Sequence, residues 1–522
     1  MKKSFLLVSL ALGLVGATSA QIRYIEETFS GVTVTPNVTY GTNFYVFPFQ
    51  GSPIPPAAPG PIAPLGYTPT LGPINLDLYE PSGDVATNRP LVILVHTGNF
   101  LPKYRNLGST GDKSDSSVVE LSRRFAKRGY VAAAPRYRLG WNPNAATLVE
   151  RTEQLLNAVY RAIHDVQTAV RFFKANAATY KIDPNKIVLV GVGSGGYVVN
   201  AYVTLNKQSE TALDKFQNGS GNSVIDTTLV GNVHGVGGSR NQYNHSGFSN
   251  DVAMSINIGG ALGDISWMEA GDVPMVGFHT WKDQFAPYDS GTVIVPTTGE
   301  AVVDVHGTRT AIKKAVALGN NSPIVNRTFI DDVSARGYSL NAKAQAEGLF
   351  EFRLPMTSAN REEGSPWEWW DSASVVVGAQ MVGLTAANGT DIHNSGVDGN
   401  QNMSPAKARR YIDTIMWYSA PRIAVALNLP GNEFVGINNN TVINTNDIAL
   451  YPNPVSENFT ITVTNQNVQS VTLVDINGKT IQKWSNLNAD NAVISRGAIA
   501  AGTYIVKIKT TKGETSRQVI FK

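Results

Sequence analysis

The stretch Ile187-Val188-Leu189-Val190-Gly191-Val192-Gly193-Ser194-Gly195-Gly196, running on through Tyr197 to Leu205, decides how this chain folds. An apolar, β-branched run followed by a glycine-dense turn and a helix-compatible segment predicts a buried strand that bends sharply into a helix. Such an elbow exposes its apex residue above a parallel sheet, and a serine there is a nucleophile. Two registers are open. With Ser194 at the apex, Val192 stands two before it, where crowding favours a small residue, and Gly196 stands two after. With Gly193 at the apex, Ser194 merely opens the helix. Glycine takes a positive φ without the cost a serine pays, so this register keeps the turn and removes the hydroxyl.

Outward from the elbow, strands and helices alternate. Ile74–Tyr79 and Leu91–Val95 read as strands, Ser114–Arg128 as an amphipathic helix, Tyr130–Pro135 as a buried strand and Ala145–Ala175 as a long helix. Met254–Ile258, Val273–Phe278 and Leu349–Leu354 continue the strand series, and Ser404-Pro405 caps a helix over Ala406–Leu427. This order predicts an α/β fold, a mostly parallel sheet covered by helices on both faces. A first strand region is expected around Arg23–Tyr40, and the proline-rich Gly51–Pro64 reads as extended loop. After an asparagine-rich linker, residues 429–447, the pattern changes to short alternating strands such as Phe459–Val463, Ser470–Val474, Tyr504–Ile508 and Gln518–Phe521. Turns at Asn477-Gly478 and Lys512-Gly513 separate them, predicting a small antiparallel β-sandwich over 448–522.

The N-terminus carries Lys2 and Lys3, an apolar stretch over Phe5–Val15 and a small-residue site at Thr18-Ser19-Ala20, so residues 1–20 read as a signal peptide and 21–428 as the main domain. No later run is long and apolar enough to predict a membrane span. The chain has 522 residues, no cysteine and a net charge of +3. A large core, without disulfides or a thiolate metal site, must therefore hold it together. No basic cluster interleaves with aromatics, which argues against a nucleic-acid partner. No zinc helix or phosphate loop occurs, and the Asp- and Asn-rich Asp391–Asn402 lacks the spacing of a calcium loop, so neither a metal nor a cofactor is expected.

Four local matches over residues 74–427 resemble α/β-hydrolases of the carboxylesterase and lipase kind. Leu91 to Val95 followed by His96-Thr97-Gly98-Asn99-Phe100 resembles the strand and His-Gly-Gly-Gly-Phe loop whose backbone N–H groups face the developing oxyanion, with Thr97 and Asn99 replacing glycines. Tyr137-Arg138-Leu139-Gly140 resembles the segment after the next strand. Asp165–Tyr197 resembles the helix, Asp-Pro turn and Gly-Glu-Ser-Ala-Gly-Gly elbow. His279-Thr280-Trp281-Lys282-Asp283-Gln284-Phe285-Ala286-Pro287-Tyr288 resembles His-Gly-Thr-x-Asp-x-x-Val-Pro-Tyr, whose aspartate orients the catalytic histidine. The resemblance implies Ser194 as nucleophile, Asp283 as acid and an oxyanion hole from Gly98, Asn99 and Gly195, acting on a small-molecule or polymer ester. Asp264 is a second acid candidate.

The base must be a histidine after Asp283 in this chain order, and only His306 and His393 remain. Pro355–Asp371, where the base belongs, holds none; His393, in what reads as a polar loop over Ala386–Met403, is the candidate, because His306 follows Asp283 too closely. Without a base a serine hydroxyl stays weak. Three outcomes stay open: an ester hydrolase, a binding or scaffold protein with a degenerate site, or another reaction with Asp283 or Glu363 as base. His164 reads as a packed helix residue. Trp367, Trp369 and Trp370 read as a core cap or a stacking platform.

Finally, Leu450-Tyr451-Pro452-Asn453-Pro454, Val474-Asp475-Ile476-Asn477-Gly478-Lys479 and Gly502-Thr503-Tyr504-Ile505-Val506 resemble the C-terminal sorting domain of type IX secretion cargo. That implies passage through the periplasm, engagement of the type IX secretion machinery, and a secreted or cell-surface location.

Overall fold

The computed structural model describes residues 22–46, 70–143, 145–294, 299, 301–354, 363–432, 436–437, 448–475, 480–511 and 513–522. The expected signal peptide, the segment Gly51–Pro64, most of the expected linker and the Asn477-Gly478 turn lie outside them. Eight strands form the central sheet: β1 (Val32–Tyr45), β2 (Thr70–Pro81), β3 (Arg89–Val95), β4 (Val131–Pro135), β5 (Ile182–Val192), β6 (Met254–Ile258), β7 (Met275–Thr280) and β8 (Leu349–Phe352). Their order is β1-β2-β4-β3-β5-β6-β7-β8. The β1–β2 and β2–β4 pairs are antiparallel, and every later pair is parallel, with Val95 beside Gly191, Val190 beside Ile256 and Phe278 beside Phe350.

The side-chain period of two divides each central strand between two cores. In β3, Leu91, Ile93 and Val95 pack toward α2 (Leu148–Ala175) and α3 (Ser194–Thr204), joining Val166, Val170 and Val198, and α4 (Thr308–Ala317) adds Ile312 to the same cluster. Val92 and Leu94 point to the other face, where α1 (Ser116–Lys127) and α7 (Pro405–Ala426) supply Leu121, Phe125, Ile412 and Ile423. Burial on both faces is why β3 to β8 read as continuous apolar runs instead of alternating ones. Thr147 and Glu150 close a capping box on α2, and Ser404 with Pro405 at the first helical position starts α7, as its sequence indicates.

One segment differs from expectation. Residues 386–398, read as part of a polar loop, form α6 (Ala386–Asp398), packed beside α5 (Ser372–Met381) around Val375, Ala379 and Ile392. Thr385 and Asn388 cap it reciprocally, a signal that its Gly, Thr, Asp and Asn content masks. No described helix is long and apolar enough to cross a membrane.

The chain divides into two compact units, residues 1–325 with 329–435 and residues 326–328 with 436–522. Besides a short antiparallel pair of Arg327–Thr328 with Gly436–Ile437, the second holds an antiparallel sheet over Ile448–Tyr451, Asn458–Val463 and Asn491–Ser495 and another of four strands with Val468–Val474 and Gly502–Thr510 at its centre. Its core is its own, built around Phe459, Ile461, Val471, Val506 and Ile508.

Candidate functional site

The elbow forms between β5 and α3, and glycine holds its apex. Gly193 has φ +54° and ψ −118°, a conformation that is strained for any residue with a side chain. Its N–H donates to Ile258 O at 2.8 Å, and its carbonyl accepts from Gly196 N–H at 2.8 Å. The flanking glycines are needed for close approach. A Cβ at Gly191 would lie 2.1 Å from Gly195 O, and one at Gly195 would lie 2.1 Å from Val95 O. Small residues thus stand two before and two after Gly193, which sets the register that puts Ser194 in the first turn of the helix. A Cβ at Gly193 itself would meet Thr97 Oγ1 at 2.2 Å. Thr97 occupies the space a nucleophile's side chain would need.

The loop after β3 keeps the form of an oxyanion-binding loop. Gly98 (φ +120°), Asn99 (φ +56°) and Phe100 (φ +59°) all take positive φ. Asn99 O accepts from Trp141 Nε1–H at 2.8 Å, Phe100 O from Gly140 N–H at 2.7 Å, and Gly98 O from Asn106 Nδ2–H at 3.1 Å, so the loop is pinned. With the apex at 193, the second donor shifts from Gly195 to Ser194, the residue after the apex. Both donors already have internal acceptors. Asn99 N–H donates to Ser194 Oγ at 3.1 Å, and Ser194 N–H donates to Thr97 Oγ1 at 3.3 Å. Two side-chain hydroxyls therefore sit where a tetrahedral intermediate's oxygen would be stabilised.

Ser194 and Asp283 border one cavity of about 430 Å³, and no histidine is among the residues that line it. All seven histidines of the chain are described. His393 sits on α6, where Nδ1 accepts from Trp370 Nε1–H at 3.2 Å. His306 Nδ1 accepts from Ile265 N–H at 3.2 Å in the hairpin of Ser290–Ile294 and Ala301–Gly307. His96 is fully buried, stacked 4.3 Å from Tyr137 and bonded through Nδ1 to Thr97 O at 2.7 Å; burial lowers its pKa. His279 is held between Thr308 Oγ1 and Ala286 O, and burial pushes it down to about 4. His164 bonds Asn232 O, His245 bonds Tyr40 O, and His234 is exposed in the loop between them. The structure brings two of the three expected relay members to one cavity and leaves His393 outside it.

Asp283 lies in the loop after β7. Its Oδ1 accepts from Phe285 N–H at 2.7 Å and Ala286 N–H at 3.3 Å, and burial pushes its pKa up to about 7. Beside it, in the loop after β8 where a base would stand, is Gly364; a Cβ there would lie 3.2 Å from Asp283 Oδ1. Glycine thus stands both at the elbow's apex, position 193, and beside Asp283, position 364. The other carboxylates first considered are structural, since Asp264 caps a short turn and pairs with Lys215 at 2.7 Å, while Glu363 pairs with Lys407 at 2.6 Å. Glu368, not singled out in the sequence, also lines the cavity. Its Oε1 accepts from Ser117 Oγ at 2.6 Å, its Oε2 is buried without a partner, and burial, reinforced by Asp115, pushes its pKa up to about 8. Its only sequence cue is its place in the Trp367-Glu368-Trp369-Trp370 cluster, of which Trp367 is buried and Trp370 lines the cavity.

Comparison with known proteins agrees with this architecture. Residues 76–295 match the family model BD-FAE, and residues 449–522 match the secretion system C-terminal sorting domain. Over 169 residues the chain is 25% identical to human neuroligin-2; the match takes in 32% of this chain and spans only 18% of that protein's length. Among solved structures it is similar to a thermophilic esterase of Thermogutta terrifontis with propionate bound, at 18% identity and a TM-score of 0.27 over 42% of this chain and 70% of that one. The form of that esterase phosphorylated by paraoxon matches at 19% identity and a TM-score of 0.26, over 42% and 69%. The chain therefore carries an esterase-like α/β-hydrolase domain of the BD-FAE kind and, after it, a sorting domain of type IX secretion.

Proposed function

We propose that this is an exported α/β-hydrolase-fold protein that binds a ligand in the esterase-like cavity without hydrolysing it through a serine–histidine–aspartate relay. The observation that carries the reading is the 2.2 Å approach between Thr97 Oγ1 and a Cβ placed on Gly193. A polypeptide selected for ester cleavage keeps that space open for its nucleophile. Internal acceptors on Asn99 N–H and Ser194 N–H, and a glycine beside Asp283, support the same conclusion. A hydroxyl without a base near neutral pKa remains protonated, and loss of a triad member costs orders of magnitude in rate. The sorting domain directs the protein outside the cell, and transit through the periplasm belongs to the same proposal.

The second reading, ester hydrolysis by Ser194 with Asp283 and His393, rests on the BD-FAE match and on Ser194 bordering the cavity. One experiment separates the two. The full chain, given short-chain p-nitrophenyl esters and a serine-directed fluorophosphonate, is expected to show neither turnover above that of Ser194→Ala nor covalent labelling. Turnover that Ser194→Ala abolishes would establish the second reading and end the first.

A further inference from the structure

Most of the cavity wall is apolar. It is built from Leu155 and Val159 on α2, Phe216 and Ile225 in the segment after α3, and Trp267 and Trp370. Only two of its described lining residues are ionisable near neutral pH, Asp283 and Glu368, both carboxylic acids, and the lining contains no lysine, arginine or histidine. Among the described residues neither acid forms an ion pair of its own, since Lys103, whose charge acts on Glu368, is paired with Asp115. Among those residues Glu368, 4% exposed, leaves Oε2 unpartnered, and Asp283 accepts from the backbone N–H groups of Phe285 and Ala286. The Tyr197 hydroxyl, also on the lining, is buried and unpartnered. Asp283 stands close to the elbow: a Cβ on Gly259 would lie 3.7 Å from its Oδ2, and one on neighbouring Gly260 would lie 2.7 Å from Gly193 O.

An acid buried without a counter-charge is costly, and it either takes up a proton or awaits a cation from outside. An anionic head such as a fatty carboxylate would meet two acids and no base. Resting on the binding reading above, we propose that the ligand is an amphiphile with a cationic, ammonium-type head, held by the carboxylates of Asp283 and Glu368 with its apolar body along Leu155, Val159, Phe216 and Ile225. Tyr197 and Trp370 line the same cavity, and aromatic rings attract such a head.

The surroundings of each acid fix how binding depends on pH. Asp283 is faced by the Tyr197 phenol and by the N–H groups of Phe285 and Ala286. Glu368 is faced by the Ser117 hydroxyl and by Asp115, and Lys103 is already taken up at 2.8 Å by Asp115. Burial keeps both acids protonated up to about 7 and about 8. A cation favours their charged forms, so binding releases protons and tightens as pH rises from 6 to 8.5.

The test uses the full chain with three probes of one tail length, octyltrimethylammonium, 1-octanol and octanoate, titrated calorimetrically at pH 6 and pH 8.5. The ammonium is expected to bind at least tenfold tighter than octanoate at pH 8.5, to lose several-fold in affinity at pH 6, and to release protons on binding. Asp283→Asn with Glu368→Gln should erase the preference for the cation while octanol binding persists, which also shows the double variant to be folded. Octanoate binding as tightly as the cation, or a double variant that keeps the preference, would overturn the proposal and leave the binding reading intact. If none of the three probes binds, both readings fall.

Discussion

A serine at position 193 would have to adopt a positive φ and push Thr97 aside, two independent costs. Strain at such a backbone position and overpacking together amount to about 2–5 kcal/mol. Gly193→Ser is therefore expected to lower the free energy of unfolding by that amount, and adding Thr97→Gly to restore roughly half, as read from urea unfolding. Hydrolysis should return only when the remaining obstacles go too. Thr97→Gly frees Ser194 N–H, Ser194→Ala frees Asn99 N–H, and Gly364→His offers Asp283 an imidazole, so the four changes together should give p-nitrophenyl butyrate turnover that Gly193→Ser alone does not. Asp283 and Glu368 also leave a mark on stability. Their folded pKa values, pushed up by burial to about 7 and about 8, exceed those of unfolded chains, so the folded state holds more protons between about pH 4 and those values. Stability is thus full below about pH 4 and is lost as pH rises through 7 and 8. Asp283→Asn and Glu368→Gln should be more stable than the parent above pH 8, on the order of 2 kcal/mol each, and indistinguishable from it below pH 4. Of these features, glycine at the apex is legible in the ungapped match of Gly191–Gly196 to an elbow. Thr97 filling the nucleophile's space is not, because that contact joins residues 96 positions apart in sequence, at a spacing no local pattern encodes.

At the scale of elements, the antiparallel edge is fastened to the parallel centre by one buried ion pair. Asp165, midway along α2, accepts from Arg138 N–H at 2.7 Å and from its Nε at 2.9 Å, and both residues are at most 1% exposed. The rest of the guanidinium donates to Phe44 O on β1 at 3.1 Å and to Asn241 Oδ1 at 3.2 Å, so helix, edge strand and the loop after β4 share one network. Asp165→Ala would strand the arginine in the interior, and a loss of about 3–5 kcal/mol is expected in urea unfolding. Replacing Glu150, at the exposed start of the same helix, should cost far less. This level of structure was the most readable. Strands β3 to β8 are short apolar runs bounded by turns, α1, α2 and α7 carry an apolar stripe, and α2 and α7 are capped as well. The exception is α6, where a helix is stabilised by its caps and by three buried side chains of the α5–α6 pair, too few to make a periodic signal. The difference matters, because a loop would give His393 a freedom that the helix does not grant.

Over the whole molecule, the change from alternating strand–helix units to short strands near residue 448 coincides with a change of core. The apolar cluster around Val471, Val506 and Ile508 contains only residues between 448 and 521, and the clusters on the two faces of the large sheet contain none of them. Separate cores make separate cooperative units, because side chains that share no packing gain nothing by unfolding together. Two calorimetric transitions are therefore expected from the full chain, the smaller in enthalpy belonging to the sorting domain, since unfolding enthalpy scales with residues involved. Ile508 is fully buried at the centre of that domain, and Ile508→Asp places an unpaired charge there. The smaller transition should disappear in this variant while the larger keeps its midpoint, and the affinity for octyltrimethylammonium, set by residues of the other unit, should not change. A single transition, or a loss of ligand affinity on Ile508→Asp, would show that the two units depend on one another for folding.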